Sequence, residues 1–276
     1  MVLAALLVAG FAFAQDEANV PEHIKIKNQG NEAYNEKDYV SAINYYSQYL
    51  QSGAEGVEDD IYTLNLYEMS FFYAGNAFLR EKNYEKAYEY FEKFQNLGRS
   101  DTPNDGKFLY NFANTAKMVK KNDKAMELYR QCVALDYNTP ACYFSIAQMF
   151  RQTNQIDSMK AVLKVGIEGI PQEKNNYYPK MVLLYSTQEL KEAAEPFNKA
   201  SEWSQKAAGQ EINTYLANMG KAVEYYKQAI PMFEEVLVYP GVDDKTKANC
   251  DKAQANIQIC KESIERFETY KKSIKK

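Results

Sequence analysis

Small and large apolar residues alternate about one helical turn apart in residues 74–95, which read AGNAFLREKNYEKAYEYFEKFQ. Gly75 and Ala87 would let two helix backbones approach closely, and Phe91 would fill the space beside them. The polar residues 81–83 have the length of a turn between antiparallel helices. The pattern therefore predicts a helix pair, and one pair cannot bury its apolar face without neighbours.

The same alternation recurs along the chain. Each copy places a glycine or alanine first, and later an alanine or methionine followed by a large apolar or aromatic residue. The recurring residues are Gly30, Tyr39, Ala42 and Tyr46; Gly75, Tyr84, Ala87 and Phe91; Ala113, Ala125 and Tyr129; and Ala147, Phe150, Met159, Leu163 and Pro171. From the third copy onwards the spacing is about 34 residues, which predicts stacked helix pairs rather than one globular core.

The pattern resembles the tetratricopeptide repeat (TPR) family, which has small, aromatic, alanine, aromatic and proline residues at repeat positions 8, 11, 20, 24 and 32. The resemblance covers roughly residues 22–207. It implies an all-α fold, a right-handed α-solenoid of TPR helix pairs over residues 22–241 with a C-terminal capping helix at 242–276. The repeats are expected near residues 23–56, 68–101, 106–139, 140–173 and 174–207, with a degenerate unit at 210–241.

The last two repeats are the least regular. Residues 174–207 keep the register through Ala193 and Phe197, and Pro196 should bend the second helix of that repeat or mark its late start. In the unit at 210–241 the break between helices is unclear. Residues 220–230 could instead belong to one long helix.

The final segment places its apolar residues on one side of a helix. This stripe consists of Ala253, Ile257, Cys260, Ile264, Phe267 and Ile274. Such a helix suits the exposed end of a solenoid, which needs a cover. We favour capping over parallel dimerisation because the stripe is short and mixes alanine with cysteine.

Residues 2–14 form an apolar run that ends in Ala12-Phe13-Ala14. The run is too short to cross a bilayer as a helix, and it fits a signal peptide at 1–14 that is cleaved before Gln15. Residues 15–21 would then be a disordered mature N-terminus, and the protein would be exported to the periplasm or secreted, without a stable membrane anchor. The basic residues of a signal peptide are missing, so either Met1 is not the true start or the chain is truncated; a buried N-terminal helix is the alternative.

Composition argues against several functional classes. The net charge is −4, and the only basic block is the short tail 271–276, so nucleic acid is not an expected partner. His23 is the single histidine and has no cysteine nearby in sequence. The sequence therefore predicts no metal site, no cofactor and no enzyme.

The four cysteines have no metal-binding spacing. Cys250 and Cys260 lie ten residues apart on one predicted helix, which is too far for a disulfide. Cys132 and Cys142 could form a disulfide in an oxidising compartment, and buried thiols are the favoured alternative.

The TPR resemblance implies that positions 2, 5, 9, 12 and 13 of each first helix line a concave binding face. Position 9 carries only amides, which can pair with both N–H and C=O groups of a peptide backbone. They should project away from the core and contribute little to folding; the alternative is that they are only solvated. The candidate binding residues are Lys27, Asn31, Tyr34, Phe72, Asn76, Arg80, Lys107, Tyr110, Asn114, Lys117, Phe144, Gln148 and Arg151.

One TPR subfamily, the carboxylate clamp, holds acidic C-termini of cytosolic chaperones. Lys27, Asn31 and Lys107 match its pattern, whereas Tyr73 and Asn111 depart from it. We therefore do not assign the clamp.

The leading hypothesis is an exported, non-catalytic scaffold of a bacterial cell envelope that binds a protein or peptide segment on its concave face. An alternative is a structural subunit of an envelope or secretion assembly that uses the convex face and the C-terminal helix. A weaker third hypothesis is a carrier of small ligands.

Overall fold

The computed structural model describes residues 20–98 and 105–274, and within these ranges the chain is helical with no β-strand. The all-α prediction is confirmed for this part of the chain. The predicted signal peptide, its cleavage site and residues 99–104 lie outside the described ranges. The helices are α1 (Glu22–Asn35), α2 (Tyr39–Gln51), α3 (Ile61–Arg80), α4 (Tyr84–Leu97), α5 (Gly106–Met118), α6 (Asn122–Ala134), α7 (Thr139–Gln152), α8 (Ile156–Glu168), α9 (Tyr178–Ala207), α10 (Ile212–Val236) and α11 (Asp244–Ser273), with a 3₁₀ helix at Gln172–Lys174.

The chain forms two compact units, one ending at Tyr137 and the other beginning at Asn138. In the first unit, the helices pair as α1 with α2, α3 with α4, and α5 with α6. The small residues set the close approach within a pair. A Cβ on Gly75 would lie 2.6 Å from Cδ1 of Phe91, and one on Gly30 would lie 2.7 Å from Cδ1 of Tyr46. The aromatic rings therefore pack directly on glycine backbone, as the sequence predicts.

Four helix pairs share one turn. The residue two before each second helix has a positive φ: 67° at Lys37, 60° at Lys82, 61° at Lys120 and 57° at Asn154. Two of these turns also cap the helix that follows, because a side-chain oxygen of Asp38 accepts from the Ser41 N–H at 3.1 Å and that of Asn83 accepts from the Lys86 N–H at 3.3 Å.

The second unit contains one short pair, α7 with α8, followed by a long hairpin of α9 and α10. The two further helix pairs predicted at 174–207 and 210–241 are wrong. Residues 178–207 form one continuous helix that includes Pro196, and residues 212–236 form another. The alternative in which residues 220–230 belong to one long helix describes α10.

The predicted breaks within α9 and α10 are missing for a local reason. Three of the four observed turns contain an aspartate or asparagine, and in the fourth Asn122 is the first residue of the helix that follows, whereas residues 186–192 and 222–228 contain neither residue type. Those two stretches are rich in strong helix formers such as Glu, Gln, Lys and Ala, so nothing favours leaving the helix.

Small residues then pack along the whole hairpin instead of within single repeats. Ala193 and Ala200 of α9 are fully buried with Ala222 and Ala229 of α10. The same apolar cluster contains Ala253, Ile257 and Cys260 of α11, with Ile264 packed against it. The stripe of α11 thus packs on the hairpin from Ala253 to Ile264, whereas Ile274 at its end is exposed.

A buried ion pair joins α8 to the hairpin. The Lys160 ammonium lies 2.5 Å from the carboxylate of Glu189 and 3.0 Å from that of Glu192. Glu189 is only 3% exposed. The Tyr185 hydroxyl, one turn earlier on α9, donates to Glu235 of α10 at 3.1 Å. The ion pairs of Lys160 join α8 to α9, and the Tyr185–Glu235 hydrogen bond joins the two helices of the hairpin.

Candidate interaction groove

The amides at position 9 do not behave alike. The hydroxyl of Tyr46 donates to Oδ1 of Asn31 at 3.0 Å, and the hydroxyl of Tyr129 donates to Oδ1 of Asn114 at 2.7 Å. Both tyrosines are fully buried. The expectation that these amides only project away from the core is therefore wrong for Asn31 and Asn114, because each satisfies a buried hydroxyl.

Asn76 differs because its repeat has Phe91 where the other two repeats have tyrosine. With no hydroxyl to accept from, the Asn76 amide donates to the backbone oxygen of Phe72 at 2.9 Å. Its hydrogen bond stays within α3.

Lys27 forms an ion pair with Asp60, the residue that caps the N-terminus of α3. Its ammonium lies 3.2 Å from Oδ2 of Asp60 and 5.5 Å from the ring centre of Tyr49. The same Asp60 oxygen accepts from the hydroxyls of Tyr49 at 2.9 Å and Thr63 at 2.7 Å. Partial burial opposes ionisation, but these hydrogen bonds outweigh it and lower the pKa of Asp60 to about 2. Lys27 therefore belongs to a structural ion pair and is not a free cation for a ligand.

Tyr34 and Arg80 belong to an aromatic patch in the first unit. The ring of Tyr34 meets Tyr39 at 5.5 Å and Tyr73 at 6.1 Å, and Tyr39 stacks on Tyr73 at 5.0 Å. Burial and the neighbouring hydroxyls of Tyr73 and Tyr39 raise the pKa of Tyr34 to about 12. Arg80 is exposed and acts on Tyr39 electrostatically. The sequence argument included Tyr34 and Arg80 but missed Tyr39 and Tyr73.

The remaining candidates of the first unit are dispersed. Phe72 packs against Phe94 and Phe108 at 5.4 and 6.1 Å, so it contributes to the core. Tyr110 lies 6.2 Å from Tyr129. Lys107 is exposed. Lys117 is half-buried 5.8 Å from the Tyr129 ring, and burial lowers its pKa.

In the second unit, by contrast, all three candidates converge. Phe144, Gln148 and Arg151 form the α7 wall of a groove of about 270 Å³, and α9 forms the other wall. The α9 side chains are Lys180, Leu183, Leu184 and Thr187. Sequence reasoning missed their role because it expected a standard repeat here; an apolar Leu183-Leu184 pair between a lysine and a threonine on one helix face is the signal that could have identified them.

Neighbouring contacts hold the groove residues in place. The rings of Phe144 and Tyr177 pack at 5.4 Å, and the Lys180 ammonium lies 4.6 Å above the Tyr177 ring. Asn249 of α11 donates to the hydroxyl oxygen of Thr187 at 3.2 Å. The terminal helix thus reaches the edge of the groove.

The groove is positively charged. It contains the guanidinium of Arg151 and the ammonium of Lys180, with no carboxylate among its lining residues. Neither cation takes part in an ion pair within the described residues. Its apolar surface comes from Phe144, Leu183 and Leu184.

Comparison with known proteins agrees with the repeat pattern. Residues 106–139 match the family model described as tetratricopeptide repeat. This stretch holds α5 and α6 with the Asn114–Tyr129 hydrogen bond. No curated protein matches the chain.

Several solved structures are similar to this chain. A TPR repeats protein from Bacteroides fragilis is 19% identical, over 68% of this chain and 98% of its own, with a TM-score of 0.46. YrrB, a TPR protein with an unusual peptide-binding site, is 15% identical over 87% of this chain and 97% of its own (TM-score 0.39). MamA is 14% identical over 76% and 97% (TM-score 0.36).

Within the described residues, no group of three or more His, Cys, Asp or Glu side chains could hold a metal ion. His23 stacks on Tyr49 at 6.2 Å. All four cysteines are thiols, and Cys132, Cys142 and Cys260 are buried. No described helix is long and apolar enough to cross a membrane.

A second groove lies on the first unit. It measures about 480 Å³ and is lined by α2, α3 and α4. Its apolar surface includes Ile43, Tyr67, Phe71, Tyr90 and Leu97. None of the residues predicted to bind a partner lines it.

Proposed function

We propose that this protein is a non-catalytic interaction scaffold of the TPR type that binds a segment of another protein in the groove between α7 and α9. The observation that carries the proposal is the convergence of Phe144, Gln148 and Arg151 with α9 on one groove. A groove with an apolar floor and a few polar groups at its walls is typical of a recognition site.

The proposal includes export to the periplasm or the cell exterior. The apolar run 2–14 and its Ala12-Phe13-Ala14 end support it, since a signal peptide has this pattern. Mass measurement of the protein recovered from cells tests this part: a mature N-terminus at Gln15 is expected, and recovery of Met1 contradicts it.

Site-specific photo-crosslinking in cell extracts and envelope fractions tests the groove. A photoreactive residue replaces Gln148 inside the groove or, as control, Lys191 on the exposed side of α9. Discrete adducts from position 148 and none from position 191 are expected. Equal labelling from both positions, or labelling from position 191 alone, contradicts the proposal.

The second candidate function is that of a structural subunit. The groove lined by α2, α3 and α4 favours it, because an apolar groove there could accept another subunit. The stripe of α11 does not, because it is packed against α9 and α10. A photoreactive residue at Asn96 distinguishes the two functions: adducts at position 96 but not at 148 favour the structural subunit.

A further inference from the structure

We propose that the groove between α7 and α9 selects an acidic peptide segment, in which carboxylate side chains flank an apolar residue. This inference rests on the proposed function and names the class of ligand for the same groove. Charge is its first basis: two cations line the groove and no carboxylate does.

The selection must be local, because the chain as a whole carries a net charge of −4. At long range the protein repels an acidic segment, and that repulsion is screened beyond roughly 10 Å at moderate salt. Within the groove, Arg151 and Lys180 are not neutralised by any ion pair among the described residues. A carboxylate there would form charge-assisted hydrogen bonds that an amide cannot equal.

The placement of the cations favours acidic side chains over a single terminal carboxylate. Arg151 belongs to the α7 wall and Lys180 to the α9 wall, so each wall supplies one cation. A segment with two acidic residues can pair with both, whereas one terminal carboxylate brings a single charge. The backbone N–H groups of Phe144, Gln148 and Arg151 and of Leu183, Leu184 and Thr187 lie inside helices, so side chains are the donors along most of the groove. Only Lys180 lies in the first turn of α9, where helical N–H groups have no partner within the helix.

The apolar residues of the groove determine which apolar side chain of the ligand it can accept. Leu183 and Leu184 offer aliphatic surface, and Phe144 is held against Tyr177 at 5.4 Å. An apolar side chain between the two acidic residues would lie on this surface. Gln148, on the α7 wall, can pair with the peptide backbone whatever the side chains are.

Fluorescence anisotropy with labelled synthetic peptides tests the inference. Three peptides share one leucine-containing core and an amidated C-terminus, and differ in carrying glutamate, glutamine or lysine beside the leucine. A fourth carries glutamine and a free C-terminal carboxylate. We expect the glutamate peptide to bind at least about tenfold more tightly than the other three.

Charge-removing variants test whether the preference for the glutamate peptide arises in the groove. The double variant Arg151→Gln/Lys180→Gln should lower glutamate-peptide affinity about tenfold, to the level of the glutamine peptide. The matched control Lys191→Gln/Lys252→Gln removes the same charge at exposed positions outside the groove and should leave affinity unchanged. An equal loss in the control shows a nonspecific charge effect and overturns the inference.

Other outcomes separate the inference from the proposed function. Equal binding of the glutamate and glutamine peptides, both abolished by Leu184→Glu, leaves a peptide groove and overturns acidic selection. Tighter binding of the peptide with the free carboxylate overturns the assignment to side chains. If none of the peptides binds, the inference fails, and crosslinking at position 148 still decides the proposed function.

Discussion

The hydroxyl of Tyr129 donates to the side-chain oxygen of Asn114 at 2.7 Å, and the same bond joins Tyr46 to Asn31. Where the tyrosine is replaced by Phe91, the corresponding Asn76 bonds to its own helix. The identity of the buried ring thus decides whether the amide at position 9 is part of the core.

Asn114→Ala should therefore destabilise the first unit. The variant leaves the buried Tyr129 hydroxyl without its Asn114 acceptor, which costs about 1–3 kcal/mol. Asn76→Ala should change stability by no more than about 0.5 kcal/mol, because Asn76 bonds only within α3. Urea unfolding measures both. Adding Tyr129→Phe to Asn114→Ala should recover part of the loss; additive losses would contradict the pairing.

Two glycine substitutions should have opposite effects on stability. In Gly75→Ala the new Cβ would meet Phe91 at 2.6 Å, so overpacking should cost about 1–3 kcal/mol. In Gly220→Ala no heavy atom lies within 4 Å, so the variant should gain up to about 1 kcal/mol from helix propensity. Thermal unfolding of the two variants checks this, and a shift of the same sign in both would refute the close approach.

Removing Lys160 should destabilise the second unit. Lys160→Ala leaves the carboxylate of Glu189, 3% exposed, without its cation, and we expect a loss of about 3 kcal/mol. Lys199→Ala is the matched control, because Lys199 pairs with Glu195 at 2.7 Å on the exposed surface. That change should leave the stability nearly unchanged. Denaturant unfolding measures both variants. Equal losses of stability would show that the buried pair stabilises the protein no more than the exposed pair does.

Asp60 should make the stability of the first unit depend on acid pH. Its pKa is lowered from 3.8 to about 2, so the folded state favours the carboxylate. Its contribution is complete above pH 4 and is lost as the pH falls towards 2, an effect on the order of 1–2 kcal/mol. Denaturant unfolding between pH 2 and 5 should show this slope in the native chain and a shallower one in Asp60→Asn. If the stability of Asp60→Asn depends on pH as steeply as that of the native chain, Asp60 is not the cause of the pH dependence.

Sequence reasoning predicted the four short helix pairs because their packing is local. Gly75 and Phe91, or Gly30 and Tyr46, meet within one repeat, and the spacing of such residues is visible in the sequence. It failed after Gln172, where the small residues Ala193 and Ala200 still match the repeat. Those alanines pack along a long hairpin instead, and only the lack of an aspartate or asparagine near Gln188 indicates this.

The candidate site was predicted less well, for a physical reason. Position alone could not show that Lys27 pairs with Asp60, which lies 33 residues away in the sequence. Nor could it show that Asn114 accepts from a buried tyrosine. Phe144, Gln148 and Arg151, which the sequence predicts as binding residues, lie together on one wall of the groove, whereas the opposite wall depends on the packing of α9 beside α7.

The most direct test of the account is hydrogen–deuterium exchange of the protein with and without the partner identified by crosslinking. We expect added protection in residues 144–151 and 180–187, which carry the two walls of the groove. Leu184→Glu should abolish that protection while the exchange of α10 stays unchanged. Protection confined to α2, α3 and α4, with no change in α7 or α9, would contradict the central claim.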